Sequence, residues 1–309
     1  MAALELWTIW LLATIGMQLL GFAISFCLKT ERLFDFFGSA NFLIIAIATL
    51  ALSDDPNDPR RIVSSALFAA SRAWLMIFLT LRARKRGDSR FDEVKDSLVF
   101  VLYWLGQAFW VYLISMPVLA VNLAPWTLPF GALDIAWATL FALALVIQVH
   151  SDYVKTQWVD AGREGVFCRR GCWDLSRHPN YFGEIAMTVC AVGLASPLMF
   201  KTNEYPRSIL AIVSVLSPLY TFAVLMFLTG MPLAEGKALR RYYVNAKDAY
   251  VQYRERTPIL VPCCFPGYDM VPRWAKRLFC CEWDLYELPA SDKQELGIAP
   301  PSGGRFGWS

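Results

Sequence analysis

The sequence predicts an all-α protein: a polytopic membrane helix bundle of about seven transmembrane helices, with cytosolic loops and a cytosolic C-terminal tail. Three observations carry that prediction. Hydrophobic residues make up 56% of the 309 and charged residues only 18%, with a mean hydropathy of +0.40, a balance that water-soluble globules do not show. Apolar stretches of roughly 20 residues, the length a helix needs to cross a ~30 Å hydrocarbon layer, recur along the chain. Lysine and arginine gather on alternate loops, as they do where positive charge resists translocation.

The first stretch, Leu6 to Leu28, has no basic leader and no small-residue cleavage site, so it reads as a retained helix and not a removable signal. Phe36 to Leu52 and Ile62 to Leu81 follow. Arg72 lies near the middle of the third stretch, in "ALFAASRAWLMIFLT", where a charge is costly unless it meets a partner or a watery cavity. It is either a functional residue, or half of a structural pair with a polar helix neighbour such as Gln18 or Gln107, or a residue displaced towards one interface. Arg82, Arg84, Lys85 and Arg86 end that helix as an anchor on anionic headgroups. Leu98 to Val121 and Leu128 to Val149 are the fourth and fifth spans, Tyr181 to Phe200 the sixth and Ile209 to Thr229 the seventh.

The basic loops are "KTER", "LRARKRGDSR", Lys155 to Arg177 and the tail, whereas "SDDPNDPRR" and "KTNEYPR" are mixed in charge. This puts the N-terminus outside or in the lumen and the C-terminus in the cytosol, with the endoplasmic reticulum membrane the expected location in a eukaryote. The net charge of +3 adds nothing beyond topology, and there is no nucleic-acid footprint. The chain divides by character into residues 1–146, transmembrane helices and the candidate lipid-substrate side; 147–265, polar at the helix ends and the candidate cofactor domain; and 266–309, a tail rich in Pro, Cys and charge. Cys168, Cys172, Cys263, Cys264, Cys280 and Cys281 fall on the cytosolic side, where thiols stay reduced. Adjacent cysteines fit poorly the C-x₂₋₄-C spacing of zinc ligands, so no metal site is expected and the pairs read as inert or lipid-modified thiols.

The densest polar run is "DLSRHPNYFGEI", Asp174 to Ile185. Pro179 is tolerated in a first helical turn, where its missing N–H would have no partner anyway, so the donors surround the N-terminus of span six. Such an end presents free N–H groups and the positive pole of the helix dipole. Arg177 can fork onto a phosphate, His178 and Asn180 can bond a carboxamide or ribose, and Tyr181 can stack on a flat ring. Asn180 and Glu184 are four apart, as are Arg177 and Tyr181 if the first turn starts early. Upstream, "HSDYVKTQW" continues span five and sets Asp152 and Lys155 on one face, with Trp158 a turn on. Downstream, in "GMPLAEGKALRRYY", the spacing of Glu235, Leu239 and Tyr242 places the carboxylate over one stripe of a helix leaving span seven.

The pattern "SDYVKTQW…GCWDLSRHPNYFGE…GMPLAEGKALRRYYV…YVQYRERTPILVPCC" resembles the C-terminal domain of the steroid 5-alpha-reductase superfamily, above all its SRHPNYFGE-bearing branch, over roughly Ile147 to Pro262. The resemblance implies a bundle that binds NADPH on the cytosolic side and reduces a C=C bond in a steroid-like or other unsaturated lipid held in the bilayer. By motif it implies cofactor-binding roles for Lys155, for Arg177, His178, Asn180, Tyr181 and Glu184, and for Glu235; the residue reading adds Asp152. No residue matches the groups that polarise the substrate in that superfamily, so no proton donor is assigned. Leu233, Ala234, Glu235 and Ala238 stand where sterol double-bond reductases carry a His-Arg-Glu run and a following Asp. The alternative is an S-adenosylmethionine-dependent methyltransferase similar to the isoprenylcysteine carboxyl methyltransferases, which share R-H-P-x-Y-x-G; their paired glutamates are broken here by Ala234. A non-catalytic lipid-binding relative is the third reading.

Overall fold

The computed structural model describes residues 3–86, 91, 94, 95, 97–163, 167–199, 212–262 and 267–297. Among these there are helices, short 3₁₀ turns and no strand. The long helices are α1 (Ala3–Cys27), α2 (Phe34–Ala51), α3 (Pro59–Arg86), α4 (Phe100–Asn122), α5 (Ala132–Asp160) and α6 (Pro179–Met199). After α6 come α7 (Leu216–Ala223), a π-helical turn at Val224–Leu228, and α8 (Met231–Ala234). Then come α9 (Arg240–Arg256), α10 (Arg273–Phe279) and α11 (Ala290–Glu295). Seven segments are long and apolar enough to cross a membrane, α1 to α6 and Leu216–Ala234, and each overlaps an expected span, the fifth running on to Asp160 and the seventh to Ala234. The chain is thus a multi-pass integral membrane protein. The "KTNEYPR" loop, the first residues of the expected seventh span and the Cys263–Cys264 pair lie outside the described residues.

The chain forms two compact units, one of Met1–Leu145 with Glu184–Thr221, the other of Val146–Gly183 with Phe222–Ser309. In the first, α2 packs on α3 and α4, and α1 on α4. Lipid tails are as apolar as leucine, so polar contacts supply much of what distinguishes one helix neighbour from another. Asn122 donates to Thr49 Oγ1 at 2.8 Å and to Ser65 Oγ at 2.9 Å, tying α4 to α2 and α3. Asp58 accepts from the Arg61 N–H at 3.0 Å and starts α3 just ahead of Pro59. Arg60 grips both oxygens of Asp134, at 2.9 and 2.8 Å, and Arg61 donates to the carbonyls of Asp55 and Ala124. These two cations of the mixed loop are therefore buried structural ties and not lipid anchors.

Arg72 is also buried, and its partner differs from the expected ones. Its Nη1 donates to Glu184 Oε1 at 2.7 Å, and its guanidinium lies over the rings of Phe42 and Phe68 at 5.3 and 5.4 Å. Gln107 instead donates to Gln18 at 2.8 Å and to the Phe34 carbonyl at 2.9 Å. A primary amide is fully served by another amide and a backbone carbonyl. A guanidinium in an apolar layer needs a carboxylate.

The second unit has an aromatic core: Phe167, Tyr242, Tyr243, Tyr250 and Tyr253, with Leu239 and Leu288. Trp173, on a 3₁₀ turn at Gly171–Asp174, donates its indole N–H to the Ser151 carbonyl at 2.9 Å and pins that turn against α5. Gly171 has φ +58, and a Cβ there would run into the ring of His150, so glycine is needed on both counts.

Candidate functional site

The polar run before α6 is anchored by its own backbone. Arg177 N–H donates to the Pro258 carbonyl at 2.9 Å, and Ser176 Oγ to the Leu260 carbonyl at 2.8 Å. The irregular segment after α9 therefore holds Ser176 and Arg177 in place, and α6 starts at Pro179 as its ring predicts. Because the helix starts there, Arg177 does not share a helical face with Tyr181. It is His178 whose ring stacks on Tyr181, with centroids 5.2 Å apart and planes 10° from parallel.

At the centre is a buried cluster. His178 Nε2 lies 2.7 Å from Glu235 Oε1, and Arg177 Nη1 donates to Glu235 Oε2 at 3.3 Å. Arg177 Nη2 donates to both oxygens of Glu282 at 2.6 Å, and Tyr268 Oη donates to Glu282 Oε1 at 3.0 Å. Burial alone would raise the Glu235 carboxyl, but Arg177 and the His178 hydrogen bond outweigh it and hold it down at about 2. Burial lowers His178, and the carboxylate beside it does not make up the difference. Arg177 is pushed up despite its burial, by Glu282 and then Glu235. At neutral pH the cluster is thus a charged Arg177 between two carboxylates, with a neutral His178 donating from Nε2, the tautomer its carboxylate partner selects.

Glu235 reaches this place by a route that the heptad-like spacing does not describe. It is extended, at φ −110 and ψ −168, and Gly236 follows in the left-handed region at φ +62. The chain breaks between α8 and the 3₁₀ turn Gly236–Leu239, so Glu235, Leu239 and Tyr242 do not form one helical stripe. The break turns the carboxylate towards His178, where a straight helix would have carried it along its flank.

The remaining candidates divide. Asn180 Nδ2 donates to Asp152 Oδ1 at 3.2 Å, joining α6 to α5, while the buried Asn180 Oδ1 has no hydrogen-bond partner. Lys155 Nζ lies over the rings of Trp173 and Trp158, at 4.3 and 4.6 Å, and meets no carboxylate within salt-bridge reach among the described residues. Asp152, Lys155, Arg177, His178, Asn180, Tyr181 and Glu235 all belong to the second unit. Glu184 does not: it belongs to the first unit and pairs with Arg72, although it is one turn from Asn180 on the same helix.

Glu282 and Tyr268 were not legible as site residues. They lie in the tail, in "YDM" and "CCEWDLYE", where no periodicity or motif sets them apart from other tail acids and aromatics. The described cysteines are all free thiols, Cys168 and Cys280 buried and Cys172 and Cys281 half-buried.

No curated protein and no solved structure matches the chain. A family model described as "Protein of unknown function (DUF1295)" matches residues 21–257, which takes in α2 to α9 and every candidate residue up to Glu235, and stops short of Tyr268 and Glu282. Since the match spans well over half of the 309 residues, the chain belongs to the DUF1295 family.

Proposed function

We propose that the protein is a membrane-embedded, NADPH-dependent reductase of a C=C bond in an unsaturated lipid, with its cofactor held by the second unit. The observation that carries the reading is a pair of polar groups that have no partner among the described residues: the buried Asn180 Oδ1, which lacks a donor, and the Lys155 ammonium, which lacks a carboxylate. A buried acceptor left unsatisfied costs ~1–3 kcal/mol, and a carboxamide N–H or ribose hydroxyl relieves that cost. An ammonium between two indoles is placed for a phosphate. Around them, Asp152 orients Asn180, Tyr181 backs His178, and Glu235 fixes the His178 tautomer. This donor and acceptor set fits a nicotinamide nucleotide, which when bound supplies a hydride.

Arg177 is engaged by Glu235 and Glu282, so a phosphate gains its fork only by displacing the tail carboxylate. Arg169, exposed and paired with Asp174 at 3.1 Å, would bind a 2′-phosphate in exchange for that exposed pair, which favours NADPH over NADH. The expected topology places this unit's loops in the cytosol. Single cysteines placed at Asn57 and Arg169, both exposed, should label from opposite sides of the membrane.

The test is thermal stabilisation of the purified protein by NADPH, NADH and S-adenosylmethionine, since a ligand at 100 times its Kd adds ~2.7 kcal/mol to native stability. The reading expects a shift with NADPH, a smaller one with NADH and none with S-adenosylmethionine. A shift with S-adenosylmethionine alone would move the protein to the methyltransferases, and no shift with any of the three would leave the lipid-binding relative.

A further inference from the structure

In the tail, α10 carries the sequence "RWAKRLF", and two stripes run along it. Trp274 and Leu278 are four apart on one face, and Arg273 and Arg277, also four apart, lie alongside. Met270 on the 3₁₀ turn before α10, Phe279 at the helix end and Leu285 on the 3₁₀ turn after it are exposed as well. These five large side chains are between 65% and 81% exposed, far above the single scattered leucines that any protein surface shows.

What lies beside this surface is fixed by Trp283. Its ring stacks on Phe227 at 5.4 Å with planes 5° from parallel, and meets Phe222 edge-on at 6.3 Å. Both phenylalanines belong to the last membrane-spanning segment, Leu216–Ala234, whose Phe227, Leu228 and Leu233 are themselves exposed. Trp283, whose indole N–H also donates to the Arg277 carbonyl at 2.9 Å, therefore joins the exposed apolar residues of that span to α10. The cations are placed to match headgroups. Arg273 and Arg277 share one carboxylate, Asp284, and Lys276 rests on the Tyr268 ring and the Glu255 carbonyl, so three basic side chains lie beside the stripe. An apolar stripe with a tryptophan, bordered by basic side chains on flexible stems, matches the boundary between acyl chains and phosphates.

We propose that Met270, Trp274, Leu278, Phe279 and Leu285 form a docking surface for the phospholipid leaflet at which the last span ends, so that α10 lies in the plane of that leaflet. The occupant is the bilayer that already surrounds the span. The surface is independent of the cofactor reading and lies beyond the part of the chain matched to the family.

The full chain, reconstituted in nanodiscs of mixed zwitterionic and anionic phospholipid, is irradiated with a phosphatidylcholine bearing a diazirine near the glycerol end of one acyl chain. Adducts are then mapped by mass spectrometry. The expected result is adducts within residues 270–285 as well as in the spans. Trp274→Asp with Leu278→Asp should lower the adducts in 270–285 by about fivefold or more, with adducts in the spans and the melting temperature unchanged, because both positions contribute to no core. If the double variant loses its fold, Trp274→Ser and Leu278→Ser taken singly give the same comparison. Absence of adducts in 270–285 of the wild type overturns the proposal, as does their persistence in the variants or their replacement there by cross-links to a second copy.

Discussion

Arg177 Nη2 donates to both carboxylate oxygens of Glu282 at 2.6 Å, although 105 positions separate the two residues. The carboxylate comes from the tail and sits where a ligand phosphate would sit if it used the same fork. Removing its charge removes a competitor. Glu282→Gln should tighten binding of NADPH by about tenfold or more, since a charge-assisted contact worth ~1.5–3 kcal/mol no longer has to be given up first. Calorimetric titration of the two proteins decides it. Equal or weaker binding by the variant, with a lowered melting temperature, would make Glu282 a structural tie for Arg177 and no competitor.

Asn180→Ala should weaken NADPH binding by about tenfold while costing the ligand-free protein only the one hydrogen bond to Asp152, ~1 kcal/mol. Arg177→Lys is less discriminating than the motif implies. The side chain is buried between two carboxylates, so a lysine, which lacks the planar fork, should lower the melting temperature as well as the affinity. The pair of titrations and melts separates a binding residue from one that does both. Unchanged affinity in Asn180→Ala would leave Asn180 as a helix tie alone.

Acid should weaken the second unit in two steps. His178 is held below its ordinary value of 6.5 by burial, so the unfolded chain takes up a proton that the folded one refuses, and stability falls as pH drops below about 6.5. Glu235, held at about 2 against an ordinary 4.5, contributes stability that is complete above about 4.5 and is lost as pH falls towards about 2. The chain has 2 histidines, so the upper step is simple to assign. The melting temperature followed from pH 7.5 downward should decline in the wild type from about pH 6.5, and the slope above about pH 5 should flatten in His178→Gln. An unaltered slope in that variant would place the titrating group elsewhere.

Within the first unit, Arg72→Met alone should be more destabilising than Arg72→Met combined with Glu184→Met. Removing one partner of a buried pair strands the other charge at a cost of ~3–5 kcal/mol, whereas replacing both by apolar residues of similar volume is often close to neutral. Melting of the three proteins in detergent checks it. A double variant at least as unstable as the single would show that Arg72 and Glu184 do more than neutralise each other.

The seven spans were legible because the requirement behind them is one-dimensional. A helix crossing lipid must satisfy its own backbone and show an apolar surface for about 20 residues, and Leu6 to Leu28 or Leu98 to Val121 display this without reference to any other segment. The start of α6 was legible for a similar reason, because Pro179 lacks the N–H that a helix interior needs and the first turn does not. The run from Arg177 to Tyr181 announced itself by composition, since anchoring in a bilayer does not call for His and Asn together.

The pairings were decided only in three dimensions. Arg72 required an anion, but nothing local says that it is Glu184, 112 positions away, and not an amide on a nearer helix. Asn180 and Glu184 share a helix at a spacing of four yet serve different units, because each side chain is claimed by the charged or polar group that packing brings to it. Glu235 turns to His178 only because Gly236 adopts a left-handed conformation and breaks the helix that the spacing implies. Glu282 has no signature at all in the sequence. Sequence determines which residues must find partners, through the cost of leaving a charge or a backbone group unpaired in a dry interior; the folded chain determines which partners they find.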